Sequence, residues 1–429
     1  MILRDIEQHI LEQQRDGSVY PQYEGYCLSN IPSAVQYLFG LRTTNSLSPI
    51  LDKAGIVPTR RQKVVALLLD GFGWSQWLRY ADRYEFLKRF TERGVLAPVT
   101  SVFPSTTSSA VTTIHSGLTP QEHGLPEWWV YFEELQQIII TLLFRPLDGD
   151  RVDQLLESGV SPRILFDGDT WYGALGESGI PAFNLINDAF KNSAYSSVVL
   201  KDSTMVPFVG ASGLVKALCS KLTEVASPAY FLAYWGEIDG VAHSYGVHSE
   251  PYIAELELLL PLLQKEFIER LPGKVAEETV LLVFADHGQI SVDPKETIYL
   301  NKFPKLVANL RTGPDGEKIL PWGSARDVFL AVEEGRLDET ITFLTEVLEG
   351  KVRVLKTDEA LRDGMFGHGG LHTRFESRLG DILLLPEGNL TLWYERPHRK
   401  EFSMLGMHGG LSPDEMLVPL AAARISDLQ

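Results

Sequence analysis

A chain of 429 residues, 44% hydrophobic and 22% charged, carries enough apolar side chains for a sizeable core and lacks the bias of a disordered or fibrous protein. Its 56 acidic and 39 basic residues leave a formal net charge of -17, which argues against an electrostatic grip on nucleic acid polymers or anionic lipid. The two cysteines, Cys27 and Cys219, lie far apart and form no CxxC, which argues against a disulfide framework and a thiolate zinc site.

The first sixty residues hold short helical patterns at 6–13 and 34–39. The opening stretch mixes charge with its apolar residues and lacks the continuous run of a secretory signal, and no segment is long and apolar enough to span a bilayer. A cytoplasmic protein with no membrane partner is the expectation. From Lys63 onward, apolar runs alternate with amphipathic ones. VVALLLD reads as a strand ending at Asp70, followed by a helical stretch over 75–94 with Gly94 as its C-cap. Further strands are predicted at 95–103, at ILFDG (164–168), AFNLI (182–186), YFLAYW (230–235) and LLVFAD (281–286). Helices are predicted at 106–117, 213–226 and 252–271.

This alternation predicts an α/β fold, a mostly parallel central sheet with helices on both faces, formed by a single domain over residues 1–429. The stretch of approximately 290–371 holds a strand and helix of its own and is expected to be a small inserted lobe. The chain then returns through RLGDILLLPEG and TLWYE to MHGGLSPDEMLVPL. In such sheets, ligands collect beyond the carboxyl ends of the strands.

Three apolar runs end in aspartate there: Asp70, Asp239 after AYFLAYWGEI, and Asp286. A carboxylate at the end of a buried strand needs a partner charge or several hydrogen bonds, and a metal ion supplies such a charge. His243 in DGVAH lies where it can share a cation with Asp239, and His287 directly follows Asp286. A last histidine is offered twice, His408 in GMHGGLSPDEM and His368 in GHGGLH. His9, His115, His123, His248, His372 and His398 are expected to be structural or surface groups. Mixed carboxylate and imidazole ligands suit zinc or manganese better than calcium, and three Asp with three His suffice for two divalent ions. A metal pair stabilises the entering and leaving oxygens of an in-line displacement at phosphorus. The DGFG at Asp70 resembles a kinase metal motif, but no Gly-rich loop, VAIK lysine or HRD segment accompanies it.

The hydroxyl cluster FPSTTSSAVTTIHSG over 103–117 offers the nucleophile, with Thr106 and Thr107 both placed at a helix start where an anionic phosphate is favoured. Capping is the alternative role for either. Phe72, Trp74, Trp128 and Trp129 are placed either to stack on a base near the site or to pack a core or lid.

The ordered set Asp70, FPSTT, DGVAHSYG, ADHG and HGG, spread over 63–420, resembles the alkaline phosphatase superfamily, and most of all its type I phosphodiesterase and nucleotide pyrophosphatase family. The resemblance implies Thr107 as nucleophile, one zinc on Asp239, His243 and His408, and another on Asp70, Asp286 and His287 with the Thr107 oxygen. It implies a metal-dependent hydrolase that cleaves phosphodiester or pyrophosphate bonds of a small nucleotide-like substrate through a phosphothreonine intermediate. The alternatives are a phosphomonoesterase or phosphomutase of the same superfamily, and a scaffold that keeps the fold without catalysis. Family members usually carry asparagine three residues after the nucleophile, where this chain has Ala110; the Ser108 backbone amide remains to hold a phosphate oxygen. No CxPxR or SxPxR of a sulfatase surrounds Thr107.

Overall fold

The structure is a computed structural model describing residues 1–42, 45–396 and 401–429. Seven strands form the central sheet: β1 (Lys63–Leu69), β2 (Val95–Thr100), β3 (Ala182–Asn187), β4 (Thr204–Phe208), β5 (Ala229–Trp235), β6 (Thr279–Phe284) and β7 (Leu417–Arg424). Their spatial order is β2-β7-β6-β1-β5-β3-β4. All neighbours are parallel except β7, which runs antiparallel between β2 and β6. Every residue of β1, β2 and β6 is buried, as the faces of a sheet covered by helices on both sides require.

Register determines where the chemistry lies. Leu69 pairs with Trp235 and Leu68 with Phe284, so Asp70 and Asp286, each two residues beyond the second pairing, leave the sheet at one level. Gly236 stands level with Asp70, and the Glu237–Tyr245 helix begins directly after it. The central strands thus deliver three aspartates to one edge.

The expected helix over 75–94 is two helices, Trp74–Tyr80 and Glu85–Arg93. Gly94 does follow the second but is extended, with φ -117°, and is no left-handed cap. A Cβ there would lie 2.8 Å from the Ala422 carbonyl oxygen, so glycine is needed for close approach to β7. ILFDG forms no strand: Pro162–Ile164 is a 3-10 turn, because Pro162 opens a turn that Ser161 caps. The helix at 250–262 carries Pro261 and continues as a π-turn segment, Leu263–Ile268.

A second, four-stranded sheet pairs Trp322–Gly323, Val328–Leu330, Ile382–Pro386 and Val352–Lys356 in that order, all antiparallel. Its last strand by sequence, Ile382–Pro386, lies beyond residue 371. The two central strands are buried on both faces, and the period-two rule divides their side chains. Val328, Leu330, Ile382 and Leu384 join a separate core with Leu300, Leu306 and Leu344, while Phe329, Leu383 and Leu385 join the main one. No helix among the described residues is long and apolar enough to cross a membrane.

A buried ion pair ties this sheet to the loop before β7. Glu415 receives Arg326 Nε at 3.0 Å and Nη2 at 2.9 Å, together with the Gly410 amide at 3.0 Å and the Ser412 hydroxyl at 2.6 Å. Both partners are at most 2% exposed. Glu415→Gln leaves the Arg326 charge buried without its counter-charge, and a loss of about 3–5 kcal/mol in urea unfolding is expected. The same contacts hold the 408–412 turn, so the variant is also expected to bind metal more weakly.

Candidate active site

The Thr107–Ser116 helix is buried at all ten positions, although seven of them carry hydroxyl or imidazole groups. Local bonds make that tolerable: Thr112 Oγ1 donates to the Ser108 carbonyl at 2.6 Å and Ser116 Oγ to that of Thr112 at 2.7 Å. Thr107 is the first helical residue, and Thr106 precedes it in extended conformation. The first-turn amides lack intrahelical partners and point to where an anion would sit.

Two donor groups lie beside Thr107. In one, ligand atoms of Asp239, His243 and His408 all fall within 4.8 Å of one another; in the other, those of Asp70, Asp286 and His287 do the same. Asp239 and His243 are four residues apart on the Glu237–Tyr245 helix and so share a face. The two groups adjoin: the His287 and His408 rings stack with centroids 3.6 Å apart. Thr107 Oγ1 lies 3.2 Å from His287 Nε2. Thr106 is buried beside Glu127 instead.

Each of the three imidazoles is oriented by a backbone carbonyl. Nδ1 of His243 reaches Gly406 O at 2.7 Å, that of His287 reaches Gly288 O at 3.0 Å, and that of His408 reaches Ser105 O at 2.9 Å. A carbonyl can only accept, so Nδ1 bears the proton and the Nε2 lone pair faces the centre. Gly288 is required because a Cβ there would overlap the Asp414 carbonyl, which packs against the His287 turn.

The carboxylates are set for cations as well. Asp286 Oδ1 accepts the Gly71 and His287 amides at 3.2 and 3.0 Å, while its Oδ2 and Asp70 Oδ1 are buried without a hydrogen-bond donor. His287 Nε2 lies 3.4 Å from each of these two oxygens. Burial, and then the neighbouring Asp286 and Asp239 charges, push Asp70 well above the usual carboxylate range, and burial also raises Asp286. For Asp239, burial acts upward but the His243 and His408 imidazoles outweigh it and hold the carboxyl low. Burial, with His287 alongside, pushes His408 well below the usual imidazole range. Such a donor set, nitrogen and oxygen with orphaned carboxylate atoms, fits two divalent cations.

The structure thus brings all seven expected residues to one place. His368, the rival of His408, is exposed and packs edge-on against Tyr23 with centroids 6.1 Å apart. His408→Ala is expected to lose one equivalent of bound metal by elemental analysis, and His368→Ala none. His115 and His123 are buried, His248 and His372 are half-buried against Tyr80 and Asp167, and His9 is exposed. His398 lies outside the described residues. Phe72 and Trp74 are core residues, whereas Trp128 and Trp129 border the site.

The side chains that support these ligands carry no expectation from the sequence patterns. Tyr234 donates its hydroxyl to Asp70 Oδ2, and Gln289 Nε2 bonds Asp239 Oδ1 at 3.1 Å. Two more buried acids, Glu127 and Asp327, face each other near Thr106; burial raises Glu127 to about 7. Gln289 follows ADHG directly, a position that could have drawn notice. Nothing local marks Tyr234 or Asp327.

Residues 64–142 and 159–411 match the family described as type I phosphodiesterase / nucleotide pyrophosphatase. The chain belongs to that family. Membership places it among metal-dependent hydrolases of the phosphodiesterase and nucleotide pyrophosphatase type. Murine ectonucleotide pyrophosphatase / phosphodiesterase 5 has a TM-score of 0.61 at 19% identity, over 84% of this chain and 88% of its own. An inactive variant of it in complex with AMP gives 0.60 at 18%, with the same coverage. Phosphonoacetate hydrolase from Sinorhizobium meliloti 1021 in complex with phosphonoformate gives 0.61 at 19%, over 86% of this chain and 95% of its own. At such identities these likenesses show the fold alone. No curated protein matches the chain in sequence.

Proposed function

We propose that this family member is a two-metal hydrolase of small phosphodiester or pyrophosphate substrates, nucleotide-like ones among them, with Thr107 as nucleophile. The observation that carries the reading is the meeting of two adjoining Asp/His donor groups, one of which reaches the Thr107 hydroxyl at 3.2 Å while the other shares a cavity with it. Zinc suits the donors best, and manganese is the alternative. When bound, the cations would lower the pKa of a hydroxyl and offset charge on phosphate oxygens.

The residues account for the remaining steps. His287 Nδ1–H is committed to Gly288 O, so in the metal-free chain Nε2 accepts a hydrogen bond from the Thr107 hydroxyl; a cation held by Asp70, Asp286 and His287 would take that lone pair and favour loss of the hydroxyl proton to water. Thr107 Oγ then bonds to phosphorus as the P–O bond to the leaving group breaks, giving phosphothreonine. The first-turn amides, Ser108 N–H among them, donate to the phosphoryl oxygens. Water attacks that phosphorus from the opposite side, restoring the Thr107 hydroxyl. Ala110 is buried in the core and adds no donor.

Metal analysis of the purified protein, combined with hydrolysis of bis-p-nitrophenyl phosphate and p-nitrophenyl phosphate, tests the proposal. About two equivalents of metal and chelator-sensitive diester turnover are expected. A mutase or monoesterase would favour the monoester, and a scaffold would turn over neither.

A further inference from the structure

A cavity of about 560 Å³ lies against the four-stranded sheet, and none of the seven site residues lines it. Its size falls within the range of small-molecule sites. The floor is apolar and rigid: Ile319, Trp322, Ala331 and Leu379 are each at most 9% exposed. Trp322, on the outer strand of that sheet, is fixed by its Nε1, which donates to the Arg378 carbonyl at 2.9 Å. Tyr131, from the Trp129–Phe132 strand, leans on the Trp322 ring with centroids 5.7 Å apart.

Two independent observations say what would occupy it. Tyr131 is only 8% exposed, yet its hydroxyl opens on the cavity without a hydrogen-bond partner among the described residues. Burial, then the Glu133 and Asp315 charges, push that phenol above its usual range, so its oxygen faces the acidic rim and offers lone pairs to a donor. The second observation is charge. Glu133, Asp358, Glu376 and Asp381 line the cavity against a single cation among the described residues, Arg311. Arg311 is already engaged by Asp381 at 2.6 Å, and Asp358 meets Arg362 at 3.2 Å. Glu133 and Glu376, both exposed at the rim, have no ion-pair partner among the described residues. An anion would be repelled from such a rim. An ammonium group would instead donate to the Tyr131 oxygen beside two carboxylates and an aromatic face, and an apolar body attached to it would cover the floor.

We propose that this cavity binds a small organic amine, protonated at physiological pH and carrying an apolar or aromatic body. Tyr131 accepts a hydrogen bond from the ammonium, Glu133 and Glu376 supply the counter-charge, and the floor around Trp322 takes the body. The site is separate from the metal-ligand cluster. The proposal goes beyond the hydrolase reading and does not rest on it.

Calorimetric titration of the full-length, metal-loaded protein with three compounds of one shape tests this: tryptamine as cation, tryptophol as neutral analogue and indole-3-propionate as anion. Tryptamine is expected to bind one per chain, at least about tenfold more tightly than tryptophol, the combined effect of two rim ion pairs and a cation–π contact. Indole-3-propionate is expected not to bind measurably. The double variant Glu133→Gln/Glu376→Gln is expected to weaken tryptamine about tenfold, to the level of tryptophol. Tyr131→Phe removes a hydroxyl that bonds nothing in the protein, so its thermal midpoint should not fall while tryptamine weakens about fivefold. Thr107→Ala is expected to bind tryptamine as the wild type does, so a failure of the hydrolase reading leaves this result untouched. Tryptophol or indole-3-propionate binding the wild type as tightly as tryptamine overturns the proposal, as does the absence of tryptamine binding; this series decides even where a variant does not fold. Tryptamine affinity unchanged in both the double variant and Tyr131→Phe overturns it too, because the amine then binds elsewhere.

Discussion

Thr107→Ala is expected to lower kcat/KM for bis-p-nitrophenyl phosphate by at least about 1,000-fold, the scale of losing a nucleophile whose surroundings remain intact. The six Asp and His side chains do not depend on the Thr107 hydroxyl for their positions, since backbone carbonyls orient the three imidazoles, backbone amides hold Asp286, and the Tyr234 and Gln289 side chains hold Asp70 and Asp239. Metal content by elemental analysis should therefore stay within error of the wild type. Thr107→Ser keeps an oxygen at the same helical position and is expected to retain measurable turnover. Thr106→Ala is the informative control. Its hydroxyl is buried without a hydrogen-bond partner, so its removal costs little stability, and it makes no hydrogen bond to His287. A Thr106 variant as inactive as that of Thr107 would reject the assignment, as would an active Thr107→Ala protein.

The apolar runs made the parallel core legible because strands buried on both faces must be continuously hydrophobic, and a terminal aspartate on such a run has no packing explanation. Register then did what no pattern shows, carrying Asp70 and Asp286 to one level from strands more than 200 residues apart in sequence. ILFDG is a short apolar run with no period to separate strand from turn, and Pro162 in front of it makes it a turn. Gly94 stands at the expected helix boundary for a different physical reason. Its role is contact with β7, a strand that lies more than 300 residues later. The supporting groups were invisible for the same cause. Tyr234 lies inside an apolar run, where its hydroxyl looks like one more core phenol, and only the neighbouring β1 end shows that it meets Asp70. The choice of His408 over His368 became a matter of placement, one ring stacked in the centre and the other on the surface.

Stripping the divalent ions is expected to abolish turnover and also to lower the thermal midpoint, by an amount that grows as pH rises from 5 to 8. The direction follows from the carboxyls. Without cations, Asp70 and Asp286 have folded-state values raised above the ordinary 3.8, chiefly by burial. The fold then prefers them protonated, so their contribution is fully present below the unfolded value and is lost as pH climbs through the raised folded one. Bound cations reverse the preference, because metal ligation needs the ionised carboxylates and supplies the charge that Asp70 Oδ1 and Asp286 Oδ2 otherwise lack. The loaded and stripped proteins should therefore diverge with pH in paired thermal scans, and zinc or manganese should close the gap. Asp70→Asn, which cannot ionise, is expected to flatten the pH slope of the stripped protein. A stripped protein whose midpoint is unchanged, or falls toward acid pH in parallel with the loaded one, would mean that these carboxylates are satisfied by the chain alone.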